Sequence, residues 1–92
     1  VVLCAKGYPE SFQKGTEIPN LSNILLDTGD YLFHAGTKKK DNKIIVNGGR
    51  VLNFVSVSNE FKTAREKVHK IIEKVNWTDG FYRKDIGYKV IN

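Results

Sequence analysis

The fold is decided by residues 47–75, which read NGGRVLNFVSVSNEFKTAREKVHKIIEKV. The first part, residues 50–58, is rich in β-branched side chains and alternates as a strand does. From residue 61 the apolar side chains recur at helical spacing instead. They are Phe61, Ala64, Val68, Ile71, Ile72 and Val75. This stretch predicts a strand followed by an amphipathic helix of about four turns, capped at its start by Ser58 or Asn59.

Two further strands are predicted upstream of this stretch. Residues 30–38 are aromatic-rich, and residues 43–47 (KIIVN) have an apolar, β-branched centre. The Asp-Asn pair at 41–42 between them is typical of a turn, because both residue types tolerate left-handed backbone. The Gly-Gly pair at 48–49 indicates either a hairpin turn or a bulge. Three strands joined by short turns predict a small antiparallel β-meander packed against one long helix, an α+β fold.

The remaining segments carry weaker signals. Residues 1–5 (VVLCA) predict a short buried strand. Glycine, proline and asparagine break residues 10–29 into loop, within which residues 24–26 are either a short strand or a helical turn. Residues 87–91 predict a short extended piece near the end of the chain.

The composition indicates one domain, residues 1–92. Apolar residues make up 40% and charged residues 27% of the chain, which is typical of a globular protein and excludes disordered and fibrous classes. No apolar run reaches the length of a membrane span, and we expect no membrane partner. The single cysteine, Cys4, is expected to be a buried strand thiol in a reducing, cytoplasmic environment. The chain contains no methionine, and we expect it to be a piece of a longer polypeptide.

Charge is concentrated at one place. The chain has 15 Lys and Arg against 10 Asp and Glu, a net charge of +5, and four lysines lie at 38–40 and 43. Nucleic acid, an anionic membrane or a phosphorylated small molecule would be attracted to a basic protein. A solvated hairpin tip that discourages edge pairing explains the lysine run equally well.

Two short motifs are candidates for anion binding. The Gly-Gly pair at 48–49 allows a ligand close to the backbone, and Arg50 follows it with a guanidinium suited to carboxylate or phosphate. Arg83 and Asp85 lie two residues apart and form either a surface ion pair or an anion-facing arginine held by a carboxylate. His34 is either a structural residue or a substrate contact. The spacing of the two histidines and the one cysteine predicts no metal site.

Five motifs occur in a specific order along the chain. They are GYP at 7–9, KG at 14–15, FHAGT at 33–37, NGGRVL at 47–52 and YRKDIG at 82–87. In this order, with the amphipathic helix between the last two, they closely resemble the C-terminal domain of the phosphoribosylamine–glycine ligases, an ATP-grasp family of purine biosynthesis. The resemblance covers practically the whole chain.

This resemblance implies an ATP-dependent ligase. ATP would phosphorylate the carboxylate of glycine, and the amine of 5-phosphoribosylamine would attack the acyl phosphate, giving glycinamide ribonucleotide, ADP and phosphate. ATP and Mg²⁺ (or Mn²⁺) would be bound mainly by upstream ATP-grasp domains absent from this chain. Residues 1–92 would be a C-terminal domain that packs against those domains, closes one side of the substrate site and is inactive alone, with no nucleic-acid partner.

Within the implied ligase we expect seven residues to contact substrate, and we expect none of them to be catalytic or to bind a metal or cofactor. They are Arg50, Gly48, Gly49, Gly36, Thr37, Asp85 and Arg83. Arg50 would hold the carboxylate of glycine or the phosphate of phosphoribosylamine, because charge-assisted arginine–oxyanion bonds are strong. Asp85 would orient Arg83 or receive the substrate ammonium.

Two other functions stay open. A free-standing basic α+β module that binds nucleic acid would explain the net charge, though not the ordered motifs. A structural cap without substrate contacts would explain the fold alone.

Overall fold

The computed structural model describes residues 1–86, so the extended piece expected at 87–91 lies outside the described part. The strands within it are β1 (Val2–Ala5), β2 (Asp30–His34), β3 (Thr37–Lys40), β4 (Lys43–Val46), β5 (Arg50–Ser56) and β6 (Gly80–Phe81). A 3-10 turn spans Leu21–Asn23, and a helix, α1, spans Phe61–Val75. No helix within residues 1–86 is long and apolar enough to cross a bilayer.

The strands form two sheets in which every pair is antiparallel. The larger sheet has the order β2-β5-β1-β6, and the smaller sheet contains β3 and β4. The helix α1 packs against β5, near the middle of the larger sheet. The predicted α+β fold, with an antiparallel sheet against one amphipathic helix, is confirmed. The change from strand to helix periodicity near residue 60 made it predictable.

The strand order differs from the predicted meander, because the segment 30–38 divides after β2 and continues as β3. The last pair of the β2–β5 ladder is His34 with Leu52, and the first pair of the β3–β4 ladder is Thr37 with Val46. Residues 35 and 36 lie between these two pairs on one side of the hairpin, and the five residues 47–51 lie between them on the other side. The additional residues on the second side form a large bulge, which contains the Gly-Gly pair. The chain from β2 to β5 is therefore one bent hairpin, and β4 does not pair with β5.

Gly36 joins the two halves of the bent hairpin. Its N–H donates to the carbonyl of Arg50 at 2.8 Å, and its own carbonyl accepts from the N–H groups of Asn47 at 2.8 Å and Gly48 at 3.0 Å. A Cβ atom at position 36 would lie 2.6 Å from the carbonyl oxygens of both Arg50 and Gly48. Only glycine fits this position without moving the backbone.

The tip of the bent hairpin confirms the predicted turn. Asp41 and Asn42 both have left-handed backbone, with φ values of 50° and 65°, which suits a two-residue turn between twisted strands. The lysines at 38–40 and 43 surround this turn and are exposed. Their exposure agrees with the interpretation of the lysine run as a solvated hairpin tip.

The core lies between α1 and one face of the larger sheet. Leu52 and Phe54 on β5 and Val75 on α1 are completely buried there. The rest of the buried cluster consists of Leu3, Ala5, Ile18, Val46, Val51, Val68, Ile71, Ile72 and Trp77. Burying one large apolar side chain contributes about 1.5–3 kcal/mol, so this contact stabilises the apolar stripe of the helix.

Only the N-terminal end of α1 differs from the sequence prediction. The N-cap is Glu60, whose side chain makes no capping bond, and Ser58 Oγ merely accepts the Glu60 N–H at 3.4 Å. The predicted caps at 58 or 59 are therefore displaced by one or two residues. At the other end Asn76 is left-handed, as helix ends often require. Asn20 Nδ2 donates to the Val75 carbonyl at 2.8 Å and closes the helix.

The segment between β1 and β2 is mostly loop, as expected. It is held to β4 by backbone bonds, including Gly15 N–H to the Val46 carbonyl at 2.8 Å. The Ile18 N–H donates to the Ile44 carbonyl at 2.9 Å, and the Ile18 side chain is buried. Residues 24–26 form neither a strand nor a helical turn.

A buried carboxylate ties the start of β2 to the helix. Asp30 accepts a hydrogen bond from Ser56 Oγ at 2.8 Å, and Lys67 Nζ lies 3.1 Å from the same carboxylate. The backbone N–H of Asp27 donates to its second oxygen at 3.3 Å. Burial by itself would raise the pKa of Asp30, but these donors outweigh burial and lower the pKa below its usual value. The carboxylate is therefore ionised and satisfied.

Replacing Lys67 with methionine should show how much this ion pair stabilises the fold. We expect the free energy of unfolding near neutral pH to fall by about 1–2 kcal/mol. This is less than for a fully buried pair, because the Lys67 side chain is 28% exposed. Urea titration of Lys67→Met beside Lys62→Met, an exposed lysine of the same helix, measures the difference. Equal losses in the two variants would contradict the account.

The same carboxylate sets an acid dependence. Its folded pKa is lowered, so its stabilisation is complete above the unfolded pKa of 3.8 and is lost as the pH falls through the folded value. The Lys67→Met variant raises that folded pKa, and we expect its unfolding free energy to decline less on acidification than that of the wild type. An identical decline in both proteins would show that Lys67 does not act on Asp30.

The bulge makes a separate prediction about stability. Gly36→Ala forces a Cβ against two backbone carbonyls, which should cost about 1–3 kcal/mol. Gly48→Ala is the matched control, because a Cβ there would lie 3.3 Å from the Gly36 Cα and meet nothing closer. Thermal or urea unfolding should therefore rank Gly36→Ala as clearly the less stable variant. Equal stability of the two would mean that Gly36 does not hold the bend.

Candidate functional site

The strand registers place several motif residues on the side of the larger sheet that α1 does not cover, here called the open face. Val2 is paired with Asn53, Cys4 with Arg50, and Cys4 also with Phe81. Paired residues in an antiparallel ladder share one face. Arg50 thus projects from the first position after the bulge, beside β1.

A cleft of about 460 Å³ opens where the bulge meets β1. Its lining consists of Val2, Tyr8, Ala35, Gly36, Gly48, Gly49, Arg50 and Asn53. The four sequence-predicted residues Gly36, Gly48, Gly49 and Arg50 are therefore brought together. The Gly48 N–H already donates to Gly36, so Arg50, and not that amide, is the strong anion-binding group of the cleft.

The glycines of the bulge are needed for close packing. The ring of Tyr8 lies directly on Gly49, where a Cβ atom would overlap the ring. Phe12 meets Tyr8 in an edge arrangement, with ring centroids 6.2 Å apart. Tyr8 therefore fixes one wall of the cleft beside Arg50. Sequence reasoning missed Tyr8 and Asn53 as lining residues, although Tyr8 belongs to the quoted GYP motif.

A second, apolar cleft of about 530 Å³ adjoins the first and shares Val2 and Tyr8 with it. Its other lining residues are Val1, Cys4, Pro9, Phe81, Tyr82, Arg83 and Ile86. Arg50 thus lies in one cleft and Arg83 at the edge of the other, with Val2 and Tyr8 between them. Together the two clefts form one continuous depression on the open face.

The predicted pairing of Arg83 and Asp85 is present. Arg83 Nη2 and Nε donate to the two Asp85 oxygens at 2.9 Å and 3.3 Å. The hydrogen bond from Arg83 holds the pKa of Asp85 below its usual value, and the same bond raises the pKa of Arg83. Both side chains are exposed, at 70% and 52%. The pair thus has the exposure of a surface ion pair, and the Asp85 carboxylate already accepts hydrogen bonds from Arg83.

Thr37 does not line either cleft, which corrects its predicted position. Its hydroxyl lies 2.9 Å from His34 Nδ1, so the two side chains bridge the end of β2 and the start of β3. They satisfy each other across the bend. His34 is accordingly bound to a neighbouring residue of its own chain, as its structural interpretation requires.

Cys4 is half-buried on the open face, not fully buried as expected. Burial raises the pKa of its thiol, and the nearby positive charge of Arg50 offsets this only in part. The thiol is therefore protonated at neutral pH and is not a nucleophile.

Two exposed aromatic side chains of β2 also lie on the open face. Tyr31 and Phe33 of β2 are stacked, with ring centroids 6.2 Å apart and 49% and 53% exposure. The lysines lie at the separate hairpin tip and do not alternate with these rings, so residues 1–86 do not show the alternating basic and aromatic pattern of a nucleic-acid-binding sheet.

The metal implied by the resemblance has no fit in the described residues. Within residues 1–86 no group of three or more His, Cys, Asp and Glu side chains stands together. Mg²⁺ needs several oxygen ligands in octahedral geometry. No chemical step is therefore assigned to a metal held by this part of the chain.

Comparison with known proteins gives a consistent result. A family model described as "Phosphoribosylglycinamide synthetase, C domain" matches residues 1–89. The chain is 41% identical over 91 residues to a phosphoribosylamine–glycine ligase of Pseudomonas aeruginosa, covering 99% of this chain and 21% of that protein. It is 42% identical to the trifunctional purine biosynthetic protein adenosine-3 of Gallus gallus, covering 99% of this chain and 9% of that protein.

A solved structure shows the same fold. The crystal structure of a phosphoribosylamine–glycine ligase from Thermotoga maritima aligns with a TM-score of 0.71 and 38% identity, over 92% of this chain and 20% of that one. The chain thus spans about a fifth of the length of the ligases it matches. From the family model and these relatives, we conclude that the chain belongs to the phosphoribosylglycinamide synthetase C-domain family.

Proposed function

We propose that this chain is the substrate-site domain of an ATP-dependent ligase that joins glycine to 5-phosphoribosylamine. The product would be glycinamide ribonucleotide, with ADP and phosphate, through a glycyl phosphate intermediate. Family membership supports the activity, and the named ligases among the relatives support its substrates. The single cysteine agrees with a reducing, cytoplasmic location.

The observation that carries the proposal is the placement of Arg50. The bulge lifts the chain out of the sheet, Gly36 fixes the bulge, and Arg50 follows at once with its side chain exposed beside an open cleft. A planar guanidinium in that position can bind a carboxylate or a phosphate with two parallel bonds. Glycine supplies the first anion and phosphoribosylamine the second.

The second cationic side chain of the depression, Arg83, supports the same proposal. Arg83 borders the apolar cleft and is held by Asp85. Since both proposed substrates carry an anionic group, two separate arginines provide one charged contact for each. We assign no substrate to either arginine.

The isolated chain is expected to be inactive. ATP and Mg²⁺ would be bound by the other domains of the ligase, since the described residues offer no cluster for the metal. Bound ATP supplies the phosphoryl group that activates the carboxylate. This domain would contribute orientation and charge: binding energy held by fixed groups places the reacting atoms together.

The open face is the proposed docking surface for those other domains. It exposes Tyr31, Phe33, Val55 and Phe81, and contiguous apolar surface of this kind marks an interface. The ligases that the chain matches are about five times longer than this chain, so we take the rest of such a ligase as the occupant. Docking there would enclose the depression that holds Arg50.

Replacing Arg50 tests the substrate contact. In the full-length ligase we expect Arg50→Ala to lower kcat/KM for glycine or phosphoribosylamine by roughly 10- to 150-fold, as the loss of one charge-assisted contact does. Arg50→Lys should recover part of the loss, because lysine keeps the charge without the fork. Lys39→Ala at the hairpin tip is the control of equal charge change. Unchanged kcat/KM for both substrates in Arg50→Ala would overturn the assignment.

The docking surface makes its own prediction. When the chain is added to the remaining domains produced separately, we expect Phe33→Ser to weaken binding at least about tenfold, as loss of a buried aromatic anchor does. Leu25→Ser is the matched control, because Leu25 is 81% exposed and lies beside α1, away from the open face. Calorimetric titration measures both. Equal weakening by the two variants would place the interface elsewhere.

A further inference from the structure

Residues 82–86, here called the tail segment, lie against α1 without joining a sheet. Two helix residues one turn apart hold them. His69 packs edge-on against Tyr82, with ring centroids 5.6 Å apart. Arg65 Nε donates to the Ile86 carbonyl at 3.0 Å, and Arg65 Nη2 donates to the Lys84 carbonyl. Residues 65 and 69 are spaced so that they share one face of the helix.

The helix contacts the tail segment at alternate residues. Residues 82, 84 and 86 engage the helix, through one ring and two carbonyls. Residues 83 and 85 lie between them and are the exposed ion pair beside the apolar cleft. The position of the pair therefore follows from where the helix holds the segment.

Arg65 suits this task for a specific reason. Its guanidinium reaches two carbonyls two residues apart, which needs donors fixed in one plane. A lysine in its place has a single nitrogen on a flexible stem and cannot reproduce that geometry. Apart from the packing of Tyr82 against the hydrophobic core, the tail segment has one backbone bond within residues 1–86, a long contact of 3.4 Å between the Ile86 N–H and the Arg83 carbonyl.

We propose that Arg65 is a positioning residue: it clamps the tail segment onto α1 and thereby sets where the Arg83–Asp85 pair stands at the substrate site. The inference rests on the proposed function, because the pair is useful only if it meets substrate. Arg65 itself touches no substrate in this account. Its effect passes entirely through residues 83 and 85.

The first experiment measures order in the tail segment of the full-length ligase. Trypsin cuts after Arg83 and Lys84, and mass spectrometry follows each product. Because local opening exposes these bonds, we expect cleavage to be roughly tenfold faster in Arg65→Met, with Arg65→Lys intermediate. Lys62→Met removes the same charge from the same helix and should leave the rate unchanged. Equal rates in Arg65→Met and Lys62→Met would overturn the clamp.

The second experiment asks whether the clamp acts through the ion pair. We expect Arg65→Met to raise the KM of the same substrate as Arg83→Gln does, and the double variant to lose less than the product of the two single losses. Partial rescue by Arg65→Lys would accompany this result. Independent, fully additive losses would overturn the inference.

The outcomes also separate this inference from the proposed function. If Arg83→Gln leaves both substrates unaffected while Arg50→Ala lowers kcat/KM, the clamp has no functional target and the inference fails alone. If neither arginine variant changes kcat/KM, the proposed substrate site itself is wrong. A tail segment loosened in Arg65→Met without any change in KM would likewise contradict a positioning function.

Discussion

Three backbone hydrogen bonds of Gly36 are the constraint on which the rest of the structure depends. They connect two ladders whose residue counts do not match, and they do so at a position where a Cβ would collide with two carbonyls. The surplus residues on the opposite strand become the bulge, and Arg50 follows its glycine pair as the first residue of β5. The bend, the glycine pair and the exposed guanidinium are thus consequences of one local geometry.

The two sides of the larger sheet contribute different things to the domain. One side packs on α1 and supplies the stability, with Leu52, Phe54 and Val75 fully buried. The other side carries exposed aromatics and the depression between Arg50 and Arg83. A small domain that leaves one sheet face uncovered can complete a site only when another surface closes over that face.

Periodicity predicted most of the secondary structure, because α1 and β5 each obey one repeat along their length. It could not predict that residues 30–38 divide between two sheets, since that depends on how many residues the opposite strand contributes. The predicted cleft residues 36 and 48–50 were brought together. Thr37 was not, because its hydroxyl is satisfied by His34 across the bend. The sequence alone did not indicate the positions of Tyr8 and Arg65 beside the depression and the tail segment, because the residues that they contact there are distant in sequence.

The most direct test of the central claim measures ATP hydrolysis that depends on both glycine and phosphoribosylamine. It uses a ligase lacking the counterpart of this domain, before and after the present chain is added. The account predicts that the shortened ligase has little activity and that the added chain restores it in a saturable manner. A shortened ligase that already turns over at the full rate with both substrates would contradict the claim that this domain completes the substrate site.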